Sequence, residues 1–258
     1  MPPEMFGGAR LKLERAHQLI RELAAAIDEF SGRRPYRLVC EPDDLPGSCA
    51  WRIHARETMP DSFPLLMGDA THNIRASLDI AVCEVVQRFG GNVHRSVSFP
   101  FAESASSLEQ TILSRGLGQT NAGIMQYFRN LKPYEGGNAD LWAIHKLDIA
   151  DKHLQLIPIA HTAELSMSFR TAGGGTVNFV GVRVGGPSQP GDLPRTIISG
   201  AARVGVRPGE ERALGPFDVC FAKGQPLQLQ SVVPAVGRLQ NLASDIVAEL
   251  IPRSELAS

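Results

Sequence analysis

Apolar residues recur at three- and four-residue steps in several stretches of the chain, a spacing that predicts helices with one buried face. Residues 9–31 carry such a stripe and are followed by Gly32, and residues 233–251 carry a second stripe of similar length. Because their lengths and patterns match, these two helices are candidates to pair. Other helices are predicted over 64–89, 104–113, 121–131 and 140–154.

Strands are predicted where apolar and polar residues alternate or where β-branched residues lie between glycines and prolines. Residues 36–41 and 50–56 read as a short hairpin, because turn-forming residues separate them. The stretch from 155 to 232 predicts five or six antiparallel strands. Its strand-like runs are LSMSFRT, TVNFVGVRV, RTIISGA, FDVCFA and LQLQSV.

These elements predict an α+β fold, in which a helical bundle carries an antiparallel β-sheet segment inserted before a C-terminal helix. Residues 1–154 form a mainly helical region with a short N-terminal β-hairpin. Residues 155–232 form the antiparallel β region. Residues 233–258 form a helix that packs back on the helical region.

Composition narrows the classes of partner. The chain has 258 residues and a formal net charge of −1, which argues against broad electrostatic attraction to nucleic acid or to an anionic membrane. No apolar run approaches the roughly 20 residues that span a bilayer, and no secretory signal opens the sequence. We therefore expect a cytoplasmic protein without a membrane partner, whose four cysteines, none in a CxxC pair, are reduced.

The helix predicted over 64–89 has two polar arcs when its residues are projected at about 100° each. The arc predicted to face solvent contains Asn73, Ser77, Glu84 and Arg88. His72, Arg75 and Asp79 form the second arc on the opposite side, among apolar residues. A polar stripe that faces away from water must find hydrogen bonds or ion pairs, because an unpaired buried charge costs several kcal/mol.

The helix predicted over 140–154 carries a complementary stripe of His145, Asp148 and Lys152. If the two stripes pack together, Arg75 can fork onto Asp148, and Asp79 can meet Lys152 or His145. Alternatively, the stripe of His145, Asp148 and Lys152 is exposed to solvent and does not contact the first helix. Contact between these two helices is the central structural prediction.

The sequences of both helices resemble those of a group of bacterial hypothetical proteins. Residues 68–81 read GDATHNIRASLDIA, and residues 141–159 read LWAIHKLDIADKHLQLIPI. That group carries GDxxHNxRxxLDxxx and then LxxLxxxDKHRxL, with FPF-like and PY segments between them; Leu154 stands here where the group often has arginine. The resemblance covers less than half of the chain and implies no activity. It marks Asp69, His72, Asn73, Arg75, Asp79, His145, Asp148, Asp151, Lys152 and His153.

The leading interpretation is a binding or scaffold protein whose bundle encloses a polar core or ligand pocket. No motif indicates a cofactor, and an RNA partner, a protein partner and a homo-oligomer all stay open. Trp51 and Trp142 are predicted core residues, and Trp142 alternatively lines a pocket beside the second stripe.

A metal-independent ribonuclease of the HEPN type is the first alternative. Its signature is an arginine followed four to six residues later by a histidine on one helix, whereas this chain places His72 before Arg75. A site split between two helices would still supply proton transfer by histidine and charge stabilisation by arginine, with aspartates as orienting groups. The candidate catalytic constellation is His72, Arg75, Asp79, His145, Asp148 and Lys152.

A metal-dependent hydrolase built on a helical bundle is the second alternative, since two pairs of candidate ligands are spaced by one helical turn. These ligands are Asp69, His72, His145 and Asp148. Arg75 and Lys152 share the same stripes, and their charges would repel a bound dication.

Overall fold

The computed structural model describes residues 6–43, 49–153, 158–170, 176–185, 195–198, 209, 211–213 and 217–255. Its helices are α1 (Gly7–Gly32), α2 (Ser62–Arg88), α3 (Leu108–Ser114), α4 (Ala122–Leu131), α5 (Ala139–His153) and α6 (Val232–Glu255). Its strands are β1 (Tyr36–Pro42), β2 (Cys49–Ala55), β3 (Pro158–Arg170), β4 (Thr176–Gly185), β5 (Arg195–Ile198), β6 (Glu211–Ala213) and β7 (Phe217–Phe221). None of the described helices is long and apolar enough to cross a membrane.

Helix α2 is the central element of the bundle, because α1, α5 and α6 all pack against it. Most of the predicted solvent face of α2 is wrong, since α1 covers Asn73, Ser77 and Glu84, whereas Arg88 at its end is exposed as predicted. Ser77 is fully buried. Lys12 Nζ of α1 donates to Asn73 Oδ1 at 3.2 Å. The Phe6 backbone N–H, at the start of α1, donates to Glu84 at 2.6 Å. Polar residues that bind a neighbouring helix have the same helical spacing as residues that face water, so the projection could not separate them.

Helix α6 lies against both α1 and α2. Its predicted apolar stripe is buried, as expected for a helix that closes the bundle. The stripe consists of Val236, Leu239, Ala243, Ile246 and Leu250. At its end, Arg88 Nε of α2 donates to the Ser254 carbonyl at 3.1 Å. The contact between the first and last helices brings both ends of the described chain to one bundle.

The described strands form two antiparallel sheets, of order β5-β2-β1-β6 and β4-β3-β7. The predicted hairpin is β1 with β2, in which Cys40 pairs with Trp51. Strands β5 and β6 extend that hairpin on its two edges, and the other three strands pair among themselves. The predicted α+β fold is confirmed. The β region after α5 thus contributes to both sheets.

Two predicted elements are corrected. The run LQLQSV is not a strand, because Leu227 and Leu229 have φ angles of 61° and 64°, in the left-handed region that strands do not use. Helix α3 begins at Leu108 and not at Ser104. The Ser104 N–H donates to Ser107 Oγ at 3.1 Å, so side-chain hydrogen bonds hold this stretch as a turn ahead of the helix.

The FPF segment, residues 99–101 between α2 and α3, packs its aromatic rings against each other and against α4. Phe99 packs on Phe101 with ring centroids 4.7 Å apart and on Phe128 of α4 at 5.4 Å. Trp51 is fully buried, which confirms its predicted place in the core. Of these rings, Phe101 contacts the polar residues of α2 and α5.

Candidate functional site

Helices α2 and α5 meet along their polar stripes. We call their contact the α2–α5 seam, and it consists of three facing pairs: Gly68 with Asp151, His72 with Asp148, and Arg75 with His145. Numbers rise along α2 while they fall along α5, so the two helices run antiparallel. Steps of three and four residues keep all three pairs on one face of each helix. The predicted contact between these helices is therefore present.

Arg75 lies over an aromatic ring, and two of its nitrogens make hydrogen bonds. Its Cζ is 4.1 Å from the centroid of Phe101. Its Nε donates to Asp79 Oδ2 at 3.1 Å, and its Nη1 donates to His145 Nδ1 at 3.4 Å. The His145 and Phe101 rings are stacked, with an interplanar angle of 7° and centroids 4.9 Å apart. Groups on opposite faces of the ring could not come this close, so Arg75 and His145 lie side by side on one face.

Asp79 connects Arg75 to the FPF segment by hydrogen bonds. One of its oxygens accepts from Arg75, and the other accepts from the Phe99 backbone N–H at 2.8 Å. The Arg75 side chain is only 13% exposed. A guanidinium fixed by a carboxylate on one side and a ring beneath it keeps its orientation without help from a ligand.

The imidazole of His145 is held neutral. Its pKa is lowered from 6.5 to about 4, first by burial and then by the charges of Arg75, Lys146 and Arg115, against the opposing effect of Asp148. Because Nδ1 accepts from Arg75, the ring proton is assigned to Nε2. Among the described residues, no partner contacts that Nε2–H.

The middle pair of the seam joins an exposed imidazole to a buried carboxylate. His72 Nδ1 lies 2.9 Å from Asp148 Oδ1. The His72 side chain is 49% exposed, whereas that of Asp148 is 6% exposed. A carboxylate that accepts from Nδ1–H orients the ring and leaves Nε2 as the atom that faces solvent or a ligand.

The third pair depends on a glycine. A Cβ added at Gly68 would overlap the carboxyl group of Asp151, so a larger residue there would require that side chain to move. Asp151, one of the positions that the resemblance marks, is thus packed against α2.

The predicted partners within the seam are corrected. Arg75 does not fork onto Asp148, and Asp79 does not meet His145. Because the helices run antiparallel, Asp148 lies opposite His72. Asp79 lies one helical turn beyond Arg75, where it accepts a hydrogen bond from the FPF segment. The side chains of Lys152 and His153 lie outside the described residues, so their predicted roles stay predictions.

Burial varies along the seam: Asp148 is buried, the Arg75 side chain is 13% exposed and His72 is half exposed. Asp69 is exposed one turn before His72, and Asn73 faces α1. The seam is thus a partly open polar contact that reaches the surface.

The described residues do not bring the candidate metal ligands together. Among them, no group of three or more histidine, cysteine, aspartate or glutamate side chains is placed to hold a metal ion. His72 is hydrogen-bonded to Asp148, and His145 accepts a hydrogen bond from the cationic Arg75. The metal-dependent interpretation gains no support from this geometry.

Two aromatic residues complete the site. Sequence reasoning placed no role on Phe101, although the FPF segment between the two polar helices was its signal. The Trp142 ring lies 5.2 Å from that of His145, and Lys146 Nζ lies 5.6 Å from the Trp142 centroid. Both rings cover the imidazole and contribute to the burial that lowers its pKa.

Beside the seam lies a cavity of about 540 Å³, which we call the Trp142 cavity. It lies between the first turns of α5 and the loop from β7 to α6, and Ala139, Trp142, Leu227, Gln228 and Gln230 line it. The alternative prediction that Trp142 lines a pocket is confirmed.

No protein-family model, curated protein or solved structure matched the chain. Evidence for a functional site in this chain thus comes from the geometry of the seam.

Proposed function

We propose that this protein is a binding protein that takes an oxyanion, the phosphate or carboxylate group of a ligand, at Arg75 and His145. The observation that carries the proposal is the pairing of Arg75 with His145 on one aromatic ring. Arg75 and His145 lie side by side on Phe101, and both still have N–H groups without a partner among the described residues. Preorganised N–H donors of this kind bind oxyanions without a cost of reorganisation.

The local charge supports the same assignment. Arg75, Lys146 and Arg115 all act on His145, against the single carboxylate of Asp148. The excess of cations destabilises a proton on the imidazole and favours an anion beside it. The chain as a whole has a net charge of −1, so this attraction is local to the seam.

Titration with inorganic phosphate tests the proposal. We expect a binding isotherm by calorimetry and a rise in the His145 pKa on binding, followed by NMR of its imidazole, because an adjacent anion stabilises the imidazolium. Arg75→Lys keeps the charge but loses the planar donor fork, so it should weaken binding about tenfold or more.

The matched control is Arg253→Lys, since Arg253 also lies over an aromatic ring, that of Tyr127, at 4.5 Å. It should bind phosphate as the wild type does. Equal affinities of the Arg75→Lys and Arg253→Lys variants would contradict the proposed site.

A second function, metal-independent cleavage of RNA, is favoured by one specific observation: the His72–Asp148 pair. A buried carboxylate that fixes a half-exposed imidazole leaves Nε2 suited to accept the proton of an attacking 2′-hydroxyl. Arg75 and the Nε2–H of His145 would hold the phosphate by hydrogen bonds, and solvent would protonate the leaving oxygen, because the neutral imidazole of His145 is too weak an acid. This function predicts cleavage of an oligoribonucleotide in the presence of a chelator, with at least about a hundredfold loss in His72→Gln. Binding of phosphate without cleavage of the oligoribonucleotide would support the binding function and contradict the nuclease function.

A further inference from the structure

The Trp142 cavity is connected to the proposed anion site through one side chain. Trp142 lines the cavity and also lies 5.2 Å from His145, ring centroid to ring centroid. Lys146 lies one helical turn further along α5, at 5.6 Å from the same ring. A flat group stacked on Trp142 would therefore carry any attached anion into reach of the seam.

The chemistry of the cavity differs from that of the seam. The described residues that line it include no ionisable side chain. It does have two amides: Gln228 Oε1 accepts from the Gly224 N–H, and Gln230 Oε1 accepts from Arg238 Nη2. With both oxygens engaged, the two NH₂ groups are the donors that remain for a ligand. The groove between α1 and α6, of about 600 Å³, is unlike it, because Arg10, Glu14, His17 and Arg21 line that groove.

The walls of the cavity are fixed before any ligand arrives. Leu227 holds a φ of 61°, and its carbonyl accepts the Gln230 N–H at 3.0 Å. On the other wall, a Cβ at Gly137 would overlap the Lys132 carbonyl. Backbone held in a sparsely populated conformation by hydrogen bonds is common at ligand-binding loops. A volume of about 540 Å³ is within the range of small-molecule sites.

We infer that the ligand is a nucleotide, whose base stacks on Trp142 in this cavity while its phosphate binds Arg75 and His145. An uncharged cavity with an aromatic wall and amide donors matches a nucleobase, which has a flat face and acceptor atoms at its edge. The adjacent cationic pair matches the phosphate. This inference rests on the proposed oxyanion site and names the group that carries the anion.

The experiment compares inorganic phosphate, adenosine, adenosine monophosphate and a short oligoadenylate as ligands of the full chain. We expect adenosine monophosphate to bind about tenfold or more tightly than phosphate, since base stacking contributes about 1–3 kcal/mol. It should also quench tryptophan fluorescence. The quench should be absent in Trp142→Phe, because Trp51 is fully buried in the core and cannot be reached.

A cavity-filling variant separates the two sites. Ala139 lines the cavity and is exposed on α5, so Ala139→Leu should reduce the affinity for adenosine monophosphate to that for phosphate while phosphate binding is unchanged. Ala25→Leu, at an exposed position of α1, is the matched control and should change neither affinity.

Each outcome decides one point. Normal phosphate binding with no added affinity for adenosine monophosphate, or with no effect of Ala139→Leu, would overturn the nucleotide inference and leave the oxyanion site standing. Binding of neither ligand would overturn both. Binding of the monophosphate or of the oligoadenylate, sensitive to Ala139→Leu, supports the inference, and their relative affinities identify a free nucleotide or a strand as its source.

Discussion

Two regions of the molecule contain an arginine over an aromatic ring. On α2, Arg75 lies 4.1 Å from the centroid of Phe101. On α6, Arg253 lies 4.5 Å from that of Tyr127. Their carboxylate partners, each one helical turn away on the same helix, are Asp79 and Glu249. In sequence these are two similar local ion pairs.

Their surroundings differ. The Arg75 side chain is 13% exposed and that of Arg253 is 45% exposed. Arg75 also reaches His145 on another helix, and its carboxylate partner holds the backbone of Phe99. Among the described residues, Arg253 has no such third polar partner. An ion pair within one helix thus becomes part of a site when burial and a partner on a second helix fix its geometry.

Truncation of the two arginines should give the largest difference between the regions. We expect Arg75→Ala to lower the free energy of unfolding by about 2 kcal/mol, because it removes a mostly buried cation and leaves the Asp79 carboxylate with one partner fewer. Arg253→Ala should cost about 0.5 kcal/mol or less, since exposed pairs are screened by solvent. Urea denaturation of both variants measures the difference, and equal losses would show that the seam is no more organised than the surface pair.

The two helical glycines Gly68 and Gly237 should respond with opposite signs. A Cβ at Gly68 would overlap the Asp151 carboxyl group, so Gly68→Ala should destabilise by about 1–2 kcal/mol as that carboxyl group is displaced from its packed position. Nothing lies within 4 Å of a Cβ at Gly237, so Gly237→Ala should stabilise α6 by about 0.5–1 kcal/mol through helix propensity.

A double-mutant cycle sharpens the same comparison. Combined with Asp151→Ala, the Gly68→Ala change should cost less than it does alone, because the overlapping carboxyl group is gone. Additive losses in the double variant would mean that Gly68 and Asp151 are not in contact in solution.

Helical periodicity predicted the α+β fold and the contact of α2 with α5, because apolar spacing identifies which face of a helix is buried. It could not identify partners. A projection gives the angle of Arg75 around its axis, but neither the direction of the neighbouring helix nor the height at which the two meet. The predicted fork onto Asp148 therefore failed while the contact itself was present.

Burial of polar residues was the other limit. Ser77 and Glu84 have the spacing of a solvent face, yet Ser77 donates to the Ile74 carbonyl at 2.7 Å and Glu84 binds the start of α1. Phe101 belongs to the FPF segment, to which the sequence assigned no role. Its role depends on Arg75 of α2 and on His145 of α5, which are distant in the chain, and no local pattern carries that information.

The smallest expected effect is a pH dependence that distinguishes the seam from the rest of the surface. The pKa of His145 is about 4 in the folded protein and 6.5 without the surrounding structure, so the unfolded chain binds a proton in this interval that the folded chain does not. Stability from this group is complete above pH 6.5 and is lost as the pH falls towards 4. Solvent around the half-exposed seam reduces the effect.

His145→Gln isolates that contribution, because the amide keeps an acceptor for Arg75 and cannot be protonated in this range. Ionisable groups far from position 145 are the same in both proteins, so their contributions cancel in the difference. The gap in unfolding free energy between wild type and variant should therefore narrow between pH 6.5 and 4. A constant gap would mean that burial and the neighbouring cations do not lower the pKa of His145 in the folded protein.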